Sequence, residues 1–330
     1  MNSARWILTV LLWLPAFSWA SQPVGNALCG VPEPGADHVA NPGTPQRAFP
    51  TVARPGQIPE SALVLLPVAN DPTVSFRIWF QAGSQEDPPG KEGLAALTAS
   101  MLAEGSTRQH SYQQIVDLLY PMAAEYSASA SVEMTVISGR VHRDNLPGFY
   151  RLLSEAILSP GFRQEDLDRL KSDTLSFLSS SLRYASDEDL AKAVLYQEIF
   201  AGTPYGHLPA GLIQSVQSIA LDEVRAFYRA HYTRDNMVIG LGGGYDPATV
   251  DRLRADLAKL PAGKPPTVPP PSPRPIRGLH VTIVEKPTTA TAISRATRST
   301  CPAASPTGTR WRWPTPGSAS IAIRRAISTR

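Results

Sequence analysis

The hydrophobic pattern of this 330-residue chain changes near residue 61. Residues 21–58 are rich in proline, glycine and alanine and have no period, which is typical of an extended leader. Beyond this point short apolar runs alternate with longer amphipathic stretches. The runs at 63–66 and 74–80 predict strands, because they are bounded by turn-forming residues and the second alternates apolar with polar residues.

Longer stretches with a helical period follow these two strands and predict most of the remaining elements. Ser111 and Gln114 have the spacing of a capping box, which indicates where one of these helices begins. The predicted helices lie at 93–103, 111–119, 146–158, 164–183, 187–200 and about 219–231, and further strands lie at 125–130, 132–141 and 236–243.

Residues 80–106 have the frame of a metallopeptidase motif. A strand ends in a Gly83–Ser84 turn, and a helix opens at Gly93 and stops at Gly105. This stretch resembles the insulinase/pitrilysin-like zinc metallopeptidases, which include the bacterial and mitochondrial processing peptidases. Their signature is the same turn, a helix carrying His-x-x-Glu-His, and a Gly-Ser/Thr stop. In this chain the three functional positions hold Ala96, Ala99 and Ser100.

The substitutions at these positions remove the chemistry of the motif. Positions 96 and 100 lie on one helix face, where two imidazoles would bind zinc and a carboxylate at 99 would activate the metal-bound water. The family's third ligand is a glutamate roughly seventy to eighty residues further on. Residues 170–179 contain no glutamate, and Asp173 fits better as a solvated helix residue. The chain is therefore predicted to hold no catalytic, cofactor-binding or metal-binding residue, with Ala96, Ala99 and Ser100 marking a degenerate site.

The resemblance continues in order along residues 61–262, through a hairpin near 124–128, a Pro-Tyr-Gly loop at 200–207 and a closing strand at 236–243. It implies an α+β fold, a mixed β-sheet flanked by helices, with one metallopeptidase-like repeat plus the start of a second. Within the family, the chain resembles a non-catalytic homologue of the processing-peptidase-like branch.

The ends of the chain differ from its body. The N-terminus has the pattern of a cleaved secretory signal: a positive charge at Arg5, an apolar run at 6–17 and a small-x-small cleavage site at Ser18-Trp19-Ala20. This pattern predicts export across the inner membrane to the periplasm, with no stable membrane insertion after cleavage. The predicted organisation is a signal peptide (1–20), an extended leader (21–58), an insulinase-like N-terminal domain (59–262), a Pro-rich linker (263–276), the start of a second repeat (277–294) and a tail (295–330).

The tail has the composition of an out-of-frame or disordered segment. Residues 295–330 contain seven arginines, no acidic residue and no hydrophobic period. Codons can be chosen for these residues such that the same nucleotides, read two positions later, encode a segment that resembles the family's second half. The net charge of +3 comes from this tail, since residues 1–294 carry about −4. A basic surface for nucleic acid is therefore not expected in the body of the chain.

Three functions remain open from the sequence. The resemblance implies a catalytically silent subunit that binds peptide or forms a chamber with an active homologous zinc peptidase, so that zinc is expected in the partner. The alternatives are an active zinc metalloendopeptidase with unrecognised ligands, and a stand-alone periplasmic binding or scaffold module. Bound zinc would distinguish the first two, and co-purification with an active homologue would count against the third.

Overall fold

The computed structural model of the chain describes residues 58, 62–264, 280–286, 292–294, 296 and 324–325. The predicted signal peptide, nearly all of the predicted leader, most of the predicted linker and most of the tail lie outside these described residues. Within them, no helix has both the length and the apolar character needed to span a bilayer.

The described strands and helices follow the predicted order, with two further helices, Ile213–Ser218 and Pro247–Leu257, that the sequence did not predict. In chain order they are β1 (Leu63–Pro67), β2 (Thr73–Phe80), α1 (Leu94–Ala103), α2 (Tyr112–Leu119), β3 (Glu125–Ala130), β4 (Thr135–His142), α3 (Leu146–Leu158), α4 (Gln164–Ser176), a π-helix (Phe177–Ala185), α5 (Asp187–Ile199), α6 (Ile213–Ser218), α7 (Leu221–His231), β5 (Met237–Gly243), α8 (Pro247–Leu257), β6 (Ala292–Ile293) and β7 (Arg324–Arg325).

Strands β1 to β5 form one mixed sheet in the order β1-β5-β2-β4-β3. β1 runs parallel to β5, whereas β2 is antiparallel to both β5 and β4, and β3 is antiparallel to β4. The α+β architecture with a mixed sheet flanked by helices is therefore confirmed. β4 begins three residues later than predicted, because Ser131 and Met134 close a turn through two hydrogen bonds, of 2.8 and 2.9 Å, to the Met134 carbonyl oxygen.

The inward side chains of β2 fix the main core. Phe76, Ile78 and Phe80 are fully buried, as their alternation predicts. Phe149 of α3 packs between the rings of Phe76 and Tyr126, with centroids 5.9 and 6.4 Å away. Its partner on β4 is Gly139, where a Cβ atom would lie 2.7 Å from the Phe149 ring. The aromatic layer therefore requires glycine in the central hairpin strand.

The predicted helix at 164–183 changes its pitch. It is α-helical through Ser176 and continues as a π-helix, in which Ser179–Ser181 are exposed. Two hydroxyl groups bond back to carbonyl oxygens one turn earlier at this change, from Thr174 to Leu170 and from Ser179 to Leu175. Such bonds compete with the backbone ladder and loosen a helix.

The segment predicted as the first strand of a second repeat, at 280–287, differs from that expectation. Residues 280–286 are neither strand nor helix, and Val281 and Ile283 are exposed. A strand needs a neighbour for its backbone groups, and the described residues offer this segment none. Helix α6 was missed because its six residues are too short for a clear period.

Candidate functional site

Helix α1 is held at its N-terminus by a carboxylate from outside the helix. Asp87 accepts hydrogen bonds from the backbone N–H groups of Gly93 and Ala95, each at 2.7 Å. These N–H groups have no partner within the helix, so Asp87 acts as its cap. Gly93 adopts a positive φ of 102°, and a Cβ there would lie 2.9 Å from the Ala210 carbonyl oxygen. Both features fix the direction in which α1 starts.

Asp87 is also the site's most perturbed acid. Burial raises the pKa of its carboxyl to about 7, although the two N–H donors and nearby His207 act in the opposite direction. The cap of α1 therefore changes charge near neutral pH. The sequence did not single out Asp87, because its partners lie six and eight residues further along the chain.

The three degenerate positions occupy two faces of α1. Ala96 and Ser100 are half-buried and face the same cleft, as their spacing of four residues predicts. Ala99 is turned into the core and is 1% exposed. The frame that would present two metal ligands is therefore present, with small side chains in place of imidazoles.

The cleft beside α1 has a volume of about 280 Å³ and is closed on its far side by α4. Asp173 lies in this wall, yet its side chain is 68% exposed and its carboxylate is 3.8 Å from the Arg169 guanidinium. This agrees with its prediction as a solvated helix residue. The lining residues are Ala96, Ser100, Glu104, Leu170, Asp173, Thr174, Phe177 and Ala210.

These donors do not fit a zinc ion. Zinc in proteins is bound by imidazole, thiolate and carboxylate groups, and the cleft offers two hydroxyls and two carboxylates without an imidazole or thiolate. The Asp173 carboxylate lies 3.8 Å from the Arg169 guanidinium, with which it forms an ion pair. In the part of the chain that the structure describes, no group of three or more His, Cys, Asp or Glu residues is placed to hold a metal.

Glu104 and Phe177 are two of the cleft-lining residues that the sequence analysis did not single out. Glu104 lies four residues after Ser100, and this helical spacing alone could have placed it on the same face. Phe177 lies 77 residues after Ser100, inside the interval expected for the third ligand, but an aromatic residue gave no signal for a ligand position. Asp173 lies 73 residues after Ser100.

Strand β3 forms an edge of the sheet next to this helix. α1 packs against β3, and the outer side of β3 has no strand neighbour among the described residues. Its side chains are mostly small, with Ser127 and Ser129 exposed. An edge with small side chains leaves its backbone groups accessible to an added strand.

Comparison with known proteins agrees with this geometry. The model of the insulinase family, peptidase family M16, matches residues 63–207, and that of the peptidase M16 inactive domain matches residues 218–304. The non-peptidase homolog YmxG of Helicobacter pylori is 32% identical over 187 residues, covering 56% of this chain and 42% of that protein. The mitochondrial-processing peptidase subunit beta of Dictyostelium discoideum is 22% identical over 187 residues, which cover 56% of this chain and 39% of that protein.

A solved structure shows the same fold. The peptidase M16 inactive domain from Pseudomonas fluorescens superimposes with a TM-score of 0.57 at 25% identity, covering 64% of this chain and 51% of that one. The chain thus spans less than half the length of the curated relatives it matches. With two M16 models matched in sequence order and the M16 fold observed, the chain belongs to the insulinase family of peptidases, family M16.

Proposed function

We propose that this chain is a catalytically silent M16 subunit that binds extended peptide and pairs with an active zinc peptidase of the same family. The observation that carries the proposal is the donor set of α1, where Ala96, Ala99 and Ser100 replace the two imidazoles and the carboxylate of the motif. Hydrolysis by this family's chemistry needs a metal-bound water, and these side chains cannot hold the metal.

The retained scaffold supports a binding role. Asp87 still caps α1, α4 still faces it, and the cleft between them persists. A chain that lacks the metal ligands but keeps the cleft and the helices that line it suits a subunit whose surface binds peptide. The name of the Helicobacter relative, a non-peptidase homolog, agrees with this interpretation.

Strand β3 is the surface on which we place the peptide. A peptide added along its outer edge would pair with the backbone and pass beside α1, since α1 packs against this strand. The exposed Ser127 and Ser129 present no bulky group to such a strand. Main-chain pairing would give affinity with little sequence preference, which suits a chamber that accepts varied peptides.

The partner is proposed by analogy with relatives. The Dictyostelium relative is named as the beta subunit of a processing peptidase, and so works as part of a larger enzyme. We therefore propose, by analogy with this relative, that a zinc-bearing M16 homologue is the partner of this chain. Residues 1–20 have the pattern of a secretory signal, and on this pattern we propose that the pair works in the periplasm.

The pairing is tested by titrating an M16 homologue that has an intact His-x-x-Glu-His motif, taken from the same organism, with this protein. We expect peptide cleavage to rise to a plateau at equimolar ratio, without added zinc, and the two proteins to elute together on gel filtration. A stable pair should bury more than the roughly 1,600 Å² of a standard interface. Flat activity with separate elution would support the stand-alone module instead, and zinc bound to this chain would support the active peptidase.

A further inference from the structure

A buried lysine fixes the segment that follows the linker. The Lys286 side chain is 7% exposed, its ammonium group donates a hydrogen bond to the Arg183 carbonyl oxygen at 2.8 Å, and it forms an ion pair with Asp187. The same segment is otherwise open, with Ile283 79% exposed. Lys286 therefore anchors residues 280–286 to the junction between the π-helix and α5.

The junction is electrostatically suited to a cation. Arg183 lies at the end of the π-helix, where carbonyl groups lack partners within the helix, and Asp187 is the first residue of α5. An ammonium group has three donors and can bind a carbonyl oxygen and a carboxylate together. Lys286 supplies this group from about a hundred residues further along the chain.

Helix α5 carries apolar side chains that the described residues do not fully cover. None of its residues is fully buried among the parts of the chain that the structure describes, Leu190 is half-buried, and Tyr196 is exposed. Strand β6 lies against α5. The same stretch of chain thus contacts α5 at two places, first through Lys286 and then through β6.

We propose that the π-helix–α5 junction is the docking site for residues 280–286 and 292–294, which belong to the segment that the sequence predicts as the opening of a second repeat, and that Lys286 is the anchoring residue. The docking has a consequence for the cleft. The π-helix begins at Phe177, which lines the cleft, so a segment held at the far end of this helix braces the cleft wall. The proposal does not depend on the absence of catalysis.

Hydrogen exchange of the complete chain tests the anchor. Lys286→Met keeps the apolar stem and removes the charge, so peptides covering 177–199 and 280–294 should both exchange about tenfold faster. Peptides from β2 and β4 should be unchanged. Lys192→Met is the matched control, because Lys192 pairs with Glu188 and Asp189 on the surface of α5 itself and should leave the exchange of both regions unaltered.

Asp187→Asn provides a second variant, which removes the charge from the other side of the pair. It should release the same two regions, and it replaces Lys286→Met if that variant fails to fold. Exchange unchanged in both regions in either folded variant would overturn the proposal. Exchange of 280–294 at the unprotected rate in the unaltered protein would also overturn it.

Discussion

Restoring two imidazoles to α1 should create a useful zinc site only when the facing wall supplies a third ligand. Ala96→His with Ser100→His provides two ligands on one face, and Phe177→Glu adds a carboxylate from across the cleft. A complete structural site yields about 10–16 kcal/mol, or about 3 kcal/mol per ligand, so the third change should tighten zinc binding roughly 100-fold. Competition with a chromophoric chelator measures this. Ala99 stays unchanged, because it is buried and the motif's carboxylate at that position is not a ligand.

The matched control places the glutamate at the neighbouring acidic position instead. Asp173→Glu in the same two-histidine background should raise the affinity for zinc less than tenfold, because the side chain at this position is exposed and paired with Arg169. Equal affinities for the Phe177→Glu and Asp173→Glu variants would contradict the geometry of the cleft. So would two histidines alone binding as tightly as the three-ligand variant.

Phe149→Ala should be among the most destabilising single changes in the chain. The side chain is fully buried between Phe76 and Tyr126 and fills the space above Gly139. Its removal should lower the free energy of unfolding by about 3–5 kcal/mol, measured by urea denaturation. Tyr120→Ala is the control, because Tyr120 is 86% exposed and its loss should change stability by no more than about 0.5 kcal/mol. A small effect at Phe149 would refute the packing described for the hairpin.

The strands and most helices could be predicted because their signals are local. The alternation at Phe76, Ile78 and Phe80 identified the buried face of β2, and these residues are indeed buried. The capping box at Ser111 is present, with Ser111 N–H bonded to the Gln114 side chain at 2.9 Å and Gln114 N–H to the Ser111 hydroxyl at 3.3 Å. These patterns depend on residues close together in the chain.

The features that the sequence could not give depend on distant contacts. Asp87 reaches the start of α1 across a turn, and Lys286 meets Arg183 over a separation of 103 residues. No periodicity contains that information. The change to a π-helix depends on how hydroxyl groups compete with the backbone, which composition alone does not settle.

The candidate site was predictable in part. The four-residue spacing of Ala96 and Ser100 placed both residues on one helix face, and the sequence shows directly that neither position holds an imidazole. The composition of the opposite wall could not be read, because it depends on how α4 packs against α1. Phe177 is the clearest case, since only the folded chain shows that this aromatic residue lines the cleft.

Catalytic silence is the central claim, and the metal content of the unaltered protein tests it most directly. The protein should be purified without chelators, equilibrated with excess zinc, passed through a desalting column and assayed by elemental analysis. We expect no more zinc than in the buffer blank and no peptide cleavage that a chelator suppresses, because α1 and α4 lack the required ligands. One zinc per chain, together with cleavage lost on adding chelator and regained with zinc, would contradict the account.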